Sequence, residues 1–173
     1  MDLLLFLIAV LIVAALFDIR RRRIPNWLTF PAVAAGLGYH VYGGGAPGLL
    51  FSLAGAAMGF AVFAPFYLMG GTGAGDVKLM AAVGALLGPA GLFRSALCTA
   101  LVGGIYAGLL LVSSRRGREK CMECKERVRT FILTRDPADL KADNPKKSPV
   151  LCYGAAIAVG TFLSLLKGVY PPR

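Results

Sequence analysis

From Ile24 to Gly75 the chain contains no Lys, Arg, Asp or Glu. Soluble domains rely on charged residues to cover their surface, so so long a silence excludes that class for this region. Acids are scarce throughout, with 9 Asp and Glu against 19 Lys and Arg. There is one Trp, and the one His is His40, which falls toward the far side from the basic residues and reads as an interfacial side chain, not a ligand or base. Of the four cysteines, Cys121 and Cys124 form a Cys-x-x-Cys in a polar stretch, whereas Cys98 and Cys152 lie in or beside apolar runs. The four ligands of a structural zinc site are therefore not assembled, and two reduced thiols are expected at 121 and 124. Internal repeats are lacking too, which counts against the duplicated halves common in transporters.

What is present is hydrophobicity in long blocks. With 57% hydrophobic residues and a mean hydropathy of +0.67, the chain reads as all-α and polytopic. Bilayer spans take about 17–25 mostly apolar residues and must satisfy their own backbone, so they are helices. Six are expected: Leu3–Ile19, Trp27–Tyr42, Pro47–Met69, Val77–Gly91, Leu92–Ser113 and Val150–Tyr170. The fourth is the weakest, cut short by Gly88, Pro89 and Gly91. Small residues at helical spacing, Gly55 with Gly59 and Gly104 with Gly108, are expected to allow close helix packing. Residues 1–173 read as one membrane-embedded domain, with a basic loop at 114–149 that holds one short helix around Glu119–Leu133.

The basic residues report orientation. Arg20–Arg23 follow the first apolar run, and Asp2 precedes it, an order opposite to that of a cleaved signal peptide. Four Lys and Arg fall in 18–26 and eleven in 114–149, with Lys78 at the edge of 70–77; only Arg94, Lys167 and Arg173 lie on the other side. That is the positive-inside pattern, with the N-terminus outside. The net charge of +10 then reflects topology and attraction to membrane lipids, and no nucleic-acid partner is expected.

Two carboxylates stand out against this background. Asp18 closes the first apolar run, and Asp76 is the first charge after the silent stretch, carried on Gly73-Ala74-Gly75. Acids at membrane depth are costly and mark functional sites. Leu3–Phe17 reaches about 22 Å as a helix, short of the roughly 30 Å hydrocarbon core, so Asp18 is drawn into the boundary. Both acids fall on the cytoplasmic side. Like charges held together disfavour simultaneous ionisation, so such a pair retains one proton. The ionised member can then take a proton from an attacking water while the other donates to a peptide carbonyl, with neither metal nor cofactor. Paired intramembrane acids also serve ion and proton movement, so a small ion-coupled transporter and a non-catalytic secretion scaffold stand as alternatives.

Asp18 with Arg20–Arg23 and Ile24-Pro25-Asn26-Trp27-Leu28, followed by Gly73-Ala74-Gly75-Asp76-Val77-Lys78-Leu79, resembles the paired signature of type IV prepilin peptidases, membrane aspartic proteases with a Gly-x-Gly-Asp motif. Ser148-Pro149-Val150-Leu151-Cys152-Tyr153-Gly154-Ala155 is similar to a third element of that family, at the entry to the last span. The resemblance implies that Asp18 and Asp76 are the catalytic pair and that Gly73 and Gly75 shape the backbone around them. Lys78 matches a basic residue that commonly follows the motif; about 200° of helix separates it from Asp76, which suggests a headgroup anchor. Longer family members carry a cytoplasmic insertion with Cys-x-x-Cys pairs and also N-methylate pilins. Only Asp18–Asn26 occupies that position here, so no methyltransferase activity is expected. The short form resembles tight-adherence (Flp-type) or archaeal preflagellin peptidases. Implied substrates are prepilin or pseudopilin precursors with a basic leader, cut at the cytoplasmic face of a bacterial inner membrane. The Arg-rich turn with Ile24-Pro25-Asn26 separates this pattern from presenilin-like Gly-x-Gly-Asp proteases.

Overall fold

A computed structural model describes residues 2–21, 23–68, 72–113, 126 and 153–166. The described residues are helical, without strands: α1 (Asp2–Arg21), α2 (Asn26–Leu68), α3 (Ala74–Ser113) and α4 (Tyr153–Leu166). Three stretches, Leu3–Arg21, Asn26–Leu68 and Ala74–Leu109, are long and apolar enough to cross a membrane; Tyr153–Leu166 is a shorter apolar helix.

α2 and α3 are each broken once, at Gly45 (φ 57°, ψ −137°) and at Gly88 (φ 72°, ψ −179°). Both glycines hold the positive φ that side-chain-bearing residues avoid. Contacts across the bundle fix the direction of each half. Residues 26 and 78 touch, as do 40 and 86, so the first half of α2 runs parallel to the start of α3. In the second half, Ser52 meets Ala85, Gly55 meets Gly84 and Gly59 meets Met80, so the direction is reversed. α2 is therefore a helical hairpin that grips the start of α3 from two sides. α4 runs antiparallel to the second half of α3, with Ser164 against Ser95 and Tyr153 against Gly103.

The central element is the segment expected to be the weakest span. In residues 74–87, Val77, Leu79, Met80, Ala82, Val83, Ala85, Leu86 and Leu87 are all buried. Beyond Asp76 and Lys78 it is apolar on every side and enclosed by neighbours, as a core helix is. Its end is defined by Gly88-Pro89. Pro89 has no N–H, so the Ala85 carbonyl four residues earlier lacks its helical donor. Ser52 replaces that donor, its Oγ donating to the Ala85 carbonyl at 2.7 Å. The break also frees the next carbonyl, Leu86, which accepts from His40 Nε2 at 3.1 Å. His40, expected at the interface, is thus a buried hydrogen-bond donor packed between Tyr39 and Phe51.

The small-residue expectation holds for one pair only. Gly55 and Gly59 lie against the backbone of Gly84 and Met80, where a Cβ would collide. Gly104 and Gly108 have open space beside them, so they face away from the bundle; Gly103 meets the Tyr153 hydroxyl instead. The expected helix around Glu119–Leu133, Cys121 and Cys124 lie outside the described residues, apart from Glu126.

Candidate active site

In α1 the buried residues are Leu7, Val10, Leu11, Ala14 and Asp18. Steps of three and four put them on one face, so Asp18 continues the stripe that packs inward. It is 5% exposed. Its Oδ2 accepts from the backbone N–H of Ala155, at 3.3 Å. Ala155 lies in the first turn of α4, where N–H groups have no partner within the helix. The last helix thus lends Asp18 an amide and the positive end of its dipole.

Asp76 is 6% exposed and is positioned by its own helix start. The N–H of Gly73 donates to Asp76 Oδ2 at 2.9 Å, and the N–H of Asp76 donates to the Gly73 carbonyl at 3.0 Å. This is half of a capping box, in which an acid in the first turn reaches back to the residue that precedes the helix. The cap turns the carboxylate inward, toward the first turn of α4. Asp18 lies near enough to act on Asp76 electrostatically, and Asp76 acts likewise on the Tyr153 hydroxyl. The two sequence-predicted carboxylates therefore share one neighbourhood, their turns both touching Ile24, although their helices are separated by the whole α2 hairpin.

Neither Gly73 nor Gly75 takes a positive φ. Their value is space. A Cβ on Gly75 would stand 3.0 Å from Ile24 Cβ and 3.2 Å from its N, and one on Gly73 would stand 3.3 Å from Asp76 Oδ2. Gly154 is tighter: its Cβ would stand 2.9 Å from Asp18 Oδ2 and 3.0 Å from Ile24 Cδ1. Ile24 is buried between the two glycine turns and separates them.

Around the pair, Phe63 meets Tyr153 edge-on at 6.3 Å, and Phe17 meets Trp27 at 5.8 Å with the Arg21 guanidinium over the Phe17 ring. Lys78, expected as a headgroup anchor, makes two contacts within the chain. Its Nζ donates to Asn26 Oδ1 at 2.9 Å and lies 5.4 Å from the centre of the Phe30 ring. The contacts of Ile24, Gly154 and Ala155 with the site have a sequence signal, since all three lie in the quoted motifs, but the pairing between motifs does not. Among the described residues, no three His, Cys, Asp or Glu side chains converge as a metal site requires.

Residues 5–108 match the model of the type IV leader peptidase family. The chain belongs to that family. It is 37% identical over 116 residues to prepilin leader peptidase/N-methyltransferases of Aeromonas salmonicida, including strain A449. That similarity covers 62% of this chain and 40% of the relatives' length, so the chain spans under half of the curated proteins it matches. No solved structure matches it. The family match includes Asp18 and Asp76 but ends before α4, the helix that supplies the Ala155 amide to Asp18.

Proposed function

We propose that this chain is an aspartic endopeptidase that removes the leader from prepilin or pseudopilin precursors, with Asp18 and Asp76 as its catalytic pair. The observation that carries the reading is a pair of buried carboxylates in one neighbourhood, each tied through Oδ2 to a backbone amide and both beside Ile24. Membership of the leader peptidase family supplies the reaction class.

Burial of both acids in a low-dielectric setting favours a state in which they share one proton. The carboxylate form accepts a proton from a water as the water attacks the scissile carbonyl. The protonated partner donates to the carbonyl oxygen, giving a tetrahedral diol, and the roles reverse as the amine leaves. The amides at Gly73 and Ala155 hold the carboxyl planes while the proton moves. No residue beyond the pair need change its protonation, and Gly73 and Gly75 serve by their small volume.

In this reading the six helical segments each cross the bilayer, the two halves of α2 and of α3 counting separately. Arg20–Arg23 and Lys78 flank the carboxylate end, and the positive-inside rule supports a site at the cytoplasmic face of an inner membrane, with the N-terminus outside. Leader peptides are basic, and cleavage at that face meets them before export. Leader removal alone is the proposed activity.

The test is cleavage of a co-expressed prepilin by the wild type, Asp18→Asn and Asp76→Asn at matched membrane levels. Cleavage by the wild type alone is expected. Full cleavage by either variant would remove that residue from the mechanism, and absence of cleavage by the wild type across several prepilins would overturn the reading.

A further inference from the structure

We infer that Asn26 and Lys78 form a latch that sets the distance between the two carboxylates, and that both are positioning residues for peptide hydrolysis. The inference rests on the reading of Asp18 and Asp76 as the catalytic pair.

Asp18 ends α1 and Asp76 begins α3, and the chain between them makes the entire α2 hairpin. Nothing local fixes their separation. The short segment after α1 does so through space. Leu28 N–H donates to the Pro25 carbonyl at 3.2 Å and the Thr29 hydroxyl to the Asn26 carbonyl at 3.4 Å, so the turn at 25–29 is internally bonded. Ile24, buried just before that turn, enters between Gly75 and Gly154, the glycines beside Asp76 and Asp18. Asn26 then reaches across to α3, where its Oδ1 accepts from Lys78 Nζ at 2.9 Å, two residues beyond Asp76. The ammonium also sits 5.4 Å from the Phe30 ring, one turn along α2, a second contact that holds the long side chain in place.

The Lys78–Asn26 bond joins the turn after Asp18 to the helix of Asp76. Cutting it frees the Ile24 wedge to slide, and the carboxylates to separate or rotate. Two groups that pass one proton tolerate little of that: a misplacement of about 1 Å costs on the order of 100-fold in rate. Substrate binding, by contrast, does not use the latch. A merely structural tie would lower the amount of folded protein; a positioning tie lowers turnover in the protein that remains.

The experiment compares wild type, Asn26→Ala, Lys78→Met, the double variant and Asn26→Asp on one prepilin, with kcat and KM read separately at known membrane levels. Each single truncation is expected to lower kcat by about 10- to 100-fold with KM little changed. The double variant is expected to be no slower than the worse single, because one bond is lost in all three. Asn26→Asp keeps the acceptor and should keep most of the turnover. Full kcat in either truncation, losses that multiply in the double, or an effect confined to KM would overturn the latch. A second measurement is independent of catalysis. With Cys98, Cys121, Cys124 and Cys152 replaced by Ser, Asp18→Cys/Asp76→Cys is joined by dithiol reagents of graded length, with and without Lys78→Met. A change in the best-joining length supports the latch even if the wild type cleaves no prepilin, and an unchanged length overturns it.

Discussion

Gly154→Ala puts the smallest possible probe against Asp18. The new Cβ would stand 2.9 Å from Oδ2 and 3.0 Å from Cγ, where ordinary contact begins at 3.4 Å. To recover that distance the carboxylate must retreat by about 0.5 Å, since the helix backbone cannot. The Ala155 N–H···Oδ2 bond already measures 3.3 Å, and a further retreat takes it out of hydrogen-bonding range. Hydrogen bonds to charged groups are worth about 1.5–3 kcal/mol. If that anchoring is lost as the proton moves, turnover falls by about 10- to 100-fold, at about 1.4 kcal/mol per factor of ten. Helix stability does not explain such a loss, because Ala in place of Gly favours a helix by about 0.5–1 kcal/mol. The assay is the initial rate of prepilin cleavage per folded molecule. Gly160→Ala is the control: its Cβ would stand 2.5 Å from the Thr99 backbone, far from either aspartate. That variant should melt at lower temperature and keep its rate per folded molecule. Wild-type turnover in Gly154→Ala, or an equal loss in Gly160→Ala, would refute the reasoning.

Ser52→Ala and His40→Phe each strip a donor from a carbonyl freed at the Gly88-Pro89 break. Each should lower the thermal midpoint in detergent, by the about 1–3 kcal/mol that an orphaned buried acceptor costs, and leave turnover per folded molecule intact. Thr161→Val and Thr99→Val should do the reverse. Both hydroxyls are buried without a hydrogen-bond partner among the described residues, so a methyl in the same place removes a penalty, and the midpoint should rise or hold.

The sequence displays the carboxylates because each stands at the edge of a long uncharged run. The same apolarity hides the packing. A soluble helix shows its inner face by contrast with a polar outer one, whereas Leu5, Ile12 and Leu16, exposed on α1, are as apolar as the buried Leu7 and Leu11. The stripe from Leu7 to Asp18 becomes visible only once the acid is seen to lie on it. Glycine spacing fails for a related reason. Gly55-x-x-x-Gly59 and Gly104-x-x-x-Gly108 are the same pattern, and which one faces a neighbour depends on the rotation of the helix, which spacing leaves open. Gly88-Pro89 was legible as an interruption but not as the end of a buried central helix, because the donors that repair it, Ser52 and His40, come from a hairpin far away in the chain. Motif residues suffered the same limit. Each of the three motifs holds a residue that makes sense only against another: Ile24 against Gly75 and Gly154, Lys78 against Asn26, Ala155 against Asp18. A linear reading assigns such residues to local roles, because the partner of each lies in another motif. The fold sets them between the turns that carry the two acids. The glycines follow from that arrangement, since a wall built of Ile24 leaves no volume for a Cβ on either side.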